Sequence, residues 1–368
     1  MRTKLTILTI LTLVFAELIL AQNFTTGKIS ANLRTLGRLR ILSGDGATRQ
    51  IDRLNILVLG QPYQVFDFAQ DANDIVAPVS ISSPQISDFE VFGSYDNSYS
   101  NLPPAILVNQ YVYGWNNQGF IISKYVVKNK TAQSINALIG FEFISQVDGQ
   151  YGNEVVKYLS DKKAIGVNRA PASTYTGVKL LSGKMTNLQA FEWFSGYNKD
   201  TLYYNYLIKN EIMPEYQATS EGSVVIFSQD AVSIDGNDSV VVYIGIAIGS
   251  DENELIANLD AAVAKYNGIT TSVDANNFKV ERFELYQNYP NPFNPTTTIA
   301  FALPEAVKEA KIRIINSLGV EVKTIKMENL SSGVHSIKFD ASYLTSGVYL
   351  YKLEANNFTQ TKKLILIK

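Results

Sequence analysis

Short runs of aromatic and β-branched residues, separated by clusters of glycine, asparagine and aspartate, occur along most of this 368-residue chain. The clearest runs before Gly268 are 53–59, 106–113, 120–127, 135–144, 177–181, 223–227 and 239–248. Runs of this length and composition are typical of antiparallel strands. They predict an all-β chain with one large antiparallel β-sandwich, supersandwich-like in size, over residues 22–268.

Helical periodicity replaces this pattern near the end of that region. Apolar residues recur at helical spacing between Leu255 and Tyr266, which predicts a helix over 251–267. Asp251 fits the N-cap position, and Gly268 is expected to end the helix. Residues 201–210 are expected to form either a shorter helix or an irregular segment, so the sandwich carries one or two helices.

The chain has no cysteine and one histidine, His335. Thiolate zinc sites and cysteine nucleophiles are therefore excluded. Because His335 lies near the C-terminus, residues 22–268 cannot assemble a Ser-His-Asp triad or a histidine-ligated metal. The net charge of −2 and the lack of a basic, aromatic-rich segment give no nucleic-acid signature.

Residues 1–21 have the three parts of a secretory signal peptide. A basic start precedes an apolar run from Leu5 to Leu20, and Ala21 is a small residue at the expected cut. We therefore expect a mature chain that begins at Gln22 and is not transmembrane. An uncleaved membrane anchor is the alternative, but the run is short for a span and contains Glu17.

The polar, aperiodic segment 269–284 is predicted to be a linker. The region after it, 285–368, opens with Pro290, Pro292 and Pro295. Prolines at this density exclude a helix or a central strand. About seven short strands with intervening turns follow, and they predict a small immunoglobulin-like β-sandwich.

This region resembles the type A C-terminal sorting domain of the type IX secretion system, also called the Por secretion system. The resemblance rests on the opening 286–295, the hairpin 317–322, the turn and strand 346–351 and the terminal 362–366. The sorting-motif residues are Tyr289, Pro290, Asn291, Pro292, Phe293, Asn294, Pro295, Gly319, Gly347, Tyr349, Lys362 and Lys363.

The resemblance implies a route and partners. The passenger, residues 22–268, would cross the outer membrane of a Gram-negative bacterium through a translocon that recognises the sorting domain. A sortase-like peptidase would cut near 270–284, and the passenger would be released or attached to surface lipopolysaccharide. We expect recognition to use an exposed strand edge, with 362–368 as the first candidate. An ordinary adhesive immunoglobulin-like module is the alternative.

The passenger offers few candidate sites, and no catalytic residue is assigned. Trp115, Tyr151, Glu192 and Trp193 are possible ligand-binding residues, because aromatic faces stack on sugars. Trp115 and Tyr151 lie in or beside loops and are therefore expected to be exposed, although core packing explains most aromatics of a β-rich chain as well. Aromatic neighbours could also raise the pKa of Glu192. A carboxylate pair would serve a glycosidase; the candidate carboxylates are Glu142, Asp148, Glu154 and Glu192.

The segment 148–154 is rich in oxygen ligands and glycine, so it could bind calcium, although a plain hairpin turn explains it as well. Otherwise no cofactor is expected. Two hypotheses follow for the passenger. The first is a secreted or cell-surface binding or structural module, with carbohydrate as a possible ligand. The second is a carboxylate-dependent, glycan-active enzyme that carries the same sorting domain.

Overall fold

The computed structural model describes residues 21–82, 84–171, 173–272 and 282–368. Most of them form two compact units, the first including 21–73 and 78–272 and the second including 282–368. The predicted signal peptide, apart from Ala21, lies outside the described residues, as does most of the predicted linker.

The first unit contains two helices, α1 (Asp200–Leu207) and α2 (Glu252–Ser272). Its strands are β1 (Ala21–Thr25), β2 (Ile29–Arg34), β3 (Leu39–Ser43), β4 (Arg49–Gln61), β5 (Gln64–Phe66), β6 (Asn73–Ser80), β7 (Phe89–Asp96), β8 (Ile106–Gly114), β9 (Phe120–Asn129), β10 (Ile135–Ser145), β11 (Glu154–Leu159), β12 (Ala164–Arg169), β13 (Tyr175–Leu180), β14 (Met185–Glu192), β15 (Glu215–Gln217), β16 (Ser223–Gln229), β17 (Val232–Ile234) and β18 (Ser239–Gly249).

These strands form two nine-stranded sheets. The first has the order β1-β2-β3-β4-β10-β16-β14, with β5 paired to β4 and β17 to β10. The second has the order β15-β11-β12-β13-β18-β9-β8-β7-β6. The pairings whose register is resolved are antiparallel, so the fold predicted from the sequence is confirmed.

The sheets pack face to face, and helices cover their outer faces. On β4, Leu54 and Ile56 point into the central core, whereas Leu57 belongs to a separate cluster with Leu207 of α1. On the second sheet, α2 contributes Leu259 to a third cluster. A strand that is buried on both faces carries a nearly continuous run of apolar residues instead of alternating apolar and polar residues. This explains the composition of β10 and β16.

Helix α2 begins as predicted but ends later. The Glu254 N–H donates to Asp251 Oδ1 at 2.8 Å, which is an N-cap bond. The helix passes through Gly268 and continues to Ser272, so the predicted stop is wrong. The reason is that Ile269 is buried with the α2 cluster, and this apolar contact outweighs the low helix propensity of glycine. Residues 269–272 are therefore helical, not linker.

No described helix has both the length and the apolar character needed to cross a membrane.

The second unit is a small sandwich of two antiparallel sheets around its own core. Its strands are β19 (Glu284–Leu285), β20 (Thr296–Leu303), β21 (Val307–Asn316), β22 (Glu321–Leu330), β23 (Gly333–Asp340), β24 (Gly347–Ala355) and β25 (Phe358–Leu366). One sheet has the order β19-β20-β23 and the other β22-β21-β24-β25. The two-sheet sandwich is as predicted; its likeness to immunoglobulin domains stays a prediction.

Candidate functional site

The proline-rich opening of the second unit is bonded to the last strand, β25. The Asn291 side chain accepts from the Ile365 N–H at 2.8 Å and donates to the Lys363 carbonyl at 3.3 Å. The Phe293 N–H donates to the Ile365 carbonyl at 2.9 Å, and the Ile367 N–H donates to the Phe293 carbonyl at 2.9 Å. The opening segment therefore lies along the outer edge of β25.

A buried tyrosine fixes the start of the same segment. The Tyr351 hydroxyl donates to the Tyr286 carbonyl at 2.7 Å and accepts from the Asn288 N–H at 2.7 Å. The Asn288 amide donates to the Pro290 carbonyl at 3.1 Å and to the Thr297 hydroxyl at 3.0 Å. Because these groups satisfy one another away from water, the opening motif is a structural part of the sandwich.

The predicted recognition edge is therefore only partly available. Strand β25 is an edge of its sheet, as expected, but backbone groups between 363 and 367 are already bonded to the opening segment. The expectation of an exposed edge over 362–368 is wrong for this stretch. Strand β22 is the opposite edge of the same sheet and has no further strand beside it in the described chain.

One end of this sheet carries exposed apolar side chains. Leu318 and Val320 lie in the turn between β21 and β22 and are 84% and 56% exposed, while Val348 and Leu350 on β24 are 48% and 40% exposed. Gly319 has φ +79°, as the predicted turn requires. We call Leu318, Val320, Val348 and Leu350 the apolar end. Contiguous exposed apolar residues commonly mark interaction surfaces.

In the first unit, Glu142 is the centre of a buried polar cluster. It lies on β10 opposite Asn55 of β4 and is inaccessible to solvent. Arg53 Nε donates to Glu142 Oε1 at 2.9 Å, and the Tyr197 hydroxyl donates to the same oxygen at 2.8 Å. The Tyr203 hydroxyl donates to Oε2.

The charges and hydrogen bonds around Glu142 fix its carboxylate in position and do not favour proton transfer. Burial, the largest single effect, acts to lower the pKa of Arg53, but the Glu142 carboxylate together with Tyr197 and Tyr203 outweighs it and the pKa is raised. Burial, followed by Glu142, raises the pKa of Tyr197 and of Tyr203. The phenols therefore stay protonated as donors. A carboxylate with three donors and no solvent access is poorly placed to transfer a proton to a substrate.

Two buried side chains beside this cluster, Asp67 and Asn55, have polar atoms without a hydrogen-bond partner within the described residues. Asp67 is fully buried, and its Oδ1 accepts from the Ala69 N–H at 2.6 Å and the Gln70 N–H at 2.9 Å. Its Oδ2 has no donor, and both amide atoms of Asn55 are likewise unpaired. Burial raises the pKa of Asp67 to about 7, because an ionised carboxylate here is poorly solvated.

Glu192 organises a neighbouring loop. Its Oε1 accepts from the Thr219 hydroxyl at 2.7 Å, the Glu221 N–H at 2.9 Å and the Gly222 N–H at 3.1 Å. Its Oε2 accepts from the Thr219 N–H at 2.8 Å. Burial acts to raise the pKa of Glu192, but these donors outweigh it and lower the pKa. The hypothesis of a raised pKa is therefore wrong.

The structure separates the predicted ligand-binding aromatics. Trp115 is only 7% exposed, packs on Phe120 and lies under the Lys265 ammonium of α2. The expectation that it is exposed is wrong, because a helix far along the chain covers its loop. Tyr151 and Trp193 remain 43% and 39% exposed.

The loop 219–222 brings Tyr151 and Trp193 to one place beside Glu192. The Trp193 N–H donates to the Gly222 carbonyl at 2.8 Å. A Cβ at Gly222 would lie 3.4 Å from Tyr151 Cβ. Three of the four predicted residues therefore surround this loop, and Trp115 does not.

The predicted calcium segment is occupied by internal hydrogen bonds. Asp148 Oδ1 accepts from the Gln50 amide at 3.1 Å and Oδ2 from the Ser173 N–H at 3.2 Å, while Glu154 Oε1 accepts from the Gly152 N–H at 2.9 Å. Among the residues that the structure describes, no three acidic or histidine side chains converge as metal ligands would. Calcium binding at 148–154 stays a prediction.

Sequence reasoning missed Arg53, Asn55, Asp67 and Tyr203. A signal was present for two of them. Arg53 and Asn55 are polar residues inside an apolar strand, as Glu142 is between Phe141 and Phe143. Charged residues in strands buried on both faces need partners, but the sequence alone does not say which strands are buried on both faces.

The architecture defines an all-β protein in which a large, helix-covered sandwich is followed by a small sandwich. Residues 287–368 match the family model described as the secretion system C-terminal sorting domain. This C-terminal unit is a type IX secretion system sorting domain, and the recognition made from the sequence is confirmed. A comparison with curated proteins found no match.

Solved structures to which this chain is similar include the following three. A bacterial glucoamylase in complex with acarbose is 9% identical with a TM-score of 0.50, covering 68% of this chain and 36% of its own. A galactose mutarotase-like protein from Lactobacillus casei is 8% identical with a TM-score of 0.39, covering 62% and 100%. Dimeric latent PorU from Porphyromonas gingivalis is 11% identical with a TM-score of 0.21, covering 94% and 32%. At 9% identity the glucoamylase similarity shows the fold alone, and the chain spans about a third of the length of that enzyme.

Proposed function

We propose that this protein is cargo of the type IX secretion system and that its first unit is a binding or structural module delivered to the cell surface or the medium of a Gram-negative bacterium. In this proposal, residues 1–21 direct passage across the inner membrane and 285–368 are recognised at the outer membrane. A sortase-like peptidase then cuts near 270–284, with release or attachment to surface lipopolysaccharide. The observation that carries the proposal is the sorting domain at 287–368.

We assign recognition by the translocon to the apolar end of the second unit. The opening segment already occupies much of the outer edge of β25, so that edge offers few free backbone groups. Leu318 and Leu350, by contrast, are 84% and 40% exposed. A protein partner that covers these side chains would remove apolar surface from water, which is the main driving force for association.

Export in a host with a type IX system tests both parts. Deleting 285–368 should trap the protein in the periplasm, and fusing 285–368 to an exported reporter should carry the reporter out. A Leu318→Asp, Leu350→Asp variant should accumulate in the periplasm, whereas Tyr343→Asp, at another exposed site of the same unit, should not. Normal delivery of the deleted protein would contradict the export proposal; normal delivery of the double variant would contradict only the recognition surface.

The passenger geometry favours binding over catalysis. Glu142 is sequestered by Arg53 and two tyrosines, and Glu192 is engaged by loop donors. Tyr151 and Trp193 instead are exposed aromatic side chains beside the loop 219–222, which suits stacking on a sugar ring. Retention of the purified protein on insoluble polysaccharides should be lost in Tyr151→Ala, Trp193→Ala. Hydrolysis of a polysaccharide that is abolished by Glu142→Gln would support the enzyme hypothesis instead.

A further inference from the structure

An open depression at one end of the first unit has an uncharged lining rich in amides. Three chain segments form it: the β4–β5 hairpin, the loop before β8 and the loop before β10. Its volume is about 460 Å³, within the ~300–1,000 Å³ range of small-molecule sites. The residues that line it are 60, 61, 64, 103–105 and 131–135. None of them is ionisable.

Three glutamine side chains supply its hydrogen-bonding groups. Gln61 and Gln64 are direct partners across the hairpin, so their Cβ atoms lie about 5 Å apart on one face. Gln133 comes from the loop before β10 and is exposed. The described residues provide no hydrogen-bond partner for these three amides, whereas the neighbouring Ser134 hydroxyl is already bonded to Asp235 at 2.8 Å. Each amide offers two donors and an acceptor.

The backbone of the β4–β5 hairpin lies close to the prolines of the loop before β8. The register between β4 and β5 shifts between Leu59 and Gln61, so Gly60 is the extra residue of a β-bulge. A Cβ at Gly60 would come within 2.8 Å of Pro104 Cβ, so glycine permits this close approach. Bulges are over-represented next to binding sites, where they redirect a side chain.

The hairpin turn adds a second unusual feature. Tyr63 has φ +62° and is 55% exposed. This region favours glycine or asparagine, and a bulky residue there is strained. Such backbone strain concentrates at functional sites. The ring centroids of Tyr63 and Tyr204 lie 4.4 Å apart. Tyr63 lies in the turn between Gln61 and Gln64.

We infer that this depression, the glutamine pocket, binds a neutral oligosaccharide. Each hydroxyl of a sugar ring can donate and accept a hydrogen bond. Two neighbouring hydroxyls therefore match the N–H donor and the carbonyl acceptor of one glutamine amide. The apolar surface of Pro103, Pro104 and Ile135 suits the C–H face of the ring. An anionic ligand would find no cation in the lining, and a purely apolar ligand would leave the amides unpaired, which is costly. The inference builds on the binding role proposed for the first unit, but it uses neither the export route nor Tyr151 and Trp193.

Calorimetric titration of the full-length protein tests the inference. The probes are maltohexaose, cellohexaose and xylohexaose, with hexagalacturonate as the charged counterpart and a neutral proline-rich decapeptide as the peptide counterpart. We expect one neutral hexasaccharide to bind, and Gln61→Ala, Gln64→Ala, Gln133→Ala to weaken its affinity at least tenfold. Gln70→Ala, at an exposed glutamine of the same unit outside the pocket, should leave the affinity unchanged.

Tryptophan fluorescence melts establish that the variants are folded, and single-glutamine variants replace the triple variant if it is not. The inference is overturned if no neutral hexasaccharide binds at 10 mM, if the peptide or hexagalacturonate binds more tightly, or if the folded glutamine variants bind as the parent does. A sugar whose binding is lost only in Tyr151→Ala, Trp193→Ala would also overturn it, while leaving the binding role of the first unit intact. None of these outcomes depends on export, which the deletion of 285–368 tests separately.

Discussion

The buried carboxyl of Asp67 makes the stability of the first unit depend on pH in an unusual direction. Burial raises its pKa from 3.8 to about 7. Between these values the folded protein binds a proton that the unfolded chain releases, so stability falls as pH rises and levels off above pH 7. The full window, about three pH units at ~1.4 kcal/mol per unit, corresponds to about 4 kcal/mol. Between pH 5 and pH 8 it corresponds to about 3 kcal/mol.

Asp67→Asn isolates this effect because asparagine imitates the protonated carboxyl. Its Oδ1 keeps the bonds from the Ala69 and Gln70 N–H groups, and its amide replaces the unpaired Oδ2. We expect the free energy of unfolding of the variant, relative to the parent, to increase by about 3 kcal/mol between pH 5 and pH 8. Asp230→Asn, which removes an exposed carboxyl from the same unit, controls for the loss of one charge.

Urea unfolding followed by tryptophan fluorescence is the suitable assay. The chain has two tryptophans, Trp115 and Trp193, and both lie in the first unit, so the signal reports that unit alone. Titrations at pH 5, 6, 7 and 8 give the difference between variant and parent at each pH. A difference that stays constant from pH 5 to pH 8 would refute the raised pKa, and a difference that shrinks would reverse the sign of the argument.

Two further perturbations test the hydrogen bonds described above. Tyr203→Phe removes a donor to the Glu142 carboxylate and should cost about 1.5–3 kcal/mol of unfolding free energy. The control is Tyr204→Phe on the same helix, whose hydroxyl has no partner in the described chain and whose loss should cost under ~0.5 kcal/mol. Equal effects of the two variants would contradict the assignment. Asn291→Ala should lower the free energy of unfolding of the second unit by about 1 kcal/mol and speed amide hydrogen exchange in β25, measured by mass spectrometry. Replacement of the exposed Asn294 by alanine should change neither quantity. Unchanged exchange in both variants would refute the contact between Asn291 and the edge of β25.

The fold was largely predictable because its strands follow local rules. Runs such as 106–113 and 135–144 combine β-branched and aromatic residues between turn residues, and both are strands in the structure. The turn at Gly319 was equally local. The end of α2 was not, because Gly268 carries a stop signal that the burial of Ile269 overrides. Propensity gives way to tertiary packing where an apolar side chain can be buried.

The candidate sites were less predictable because distant segments build them. Trp115 reads as a loop aromatic, yet Lys265 covers it from a helix about 150 residues further on. The low pKa of Glu192 depends on donors at 219–222. The glutamine pocket joins residues of 60–64, 103–105 and 131–135, and no local pattern marks Gln61 and Gln133 as neighbours. Sequence identifies side chains with suitable chemistry, whereas topology decides which of them meet.

The second unit shows the same dependence on distant segments, with a consequence for export. Its opening motif is bonded to β25 through Asn291 and Phe293, and its start is fixed by Tyr351 of β24. The Asn291 and Phe293 bonds join residues more than 70 positions apart, so they cannot form until β25 has been synthesised. A translocon that reads the folded surface, such as the apolar end, would therefore accept the chain only after the sandwich has closed. A chain in which the sandwich has not closed would present the residues of the opening motif without the folded apolar end.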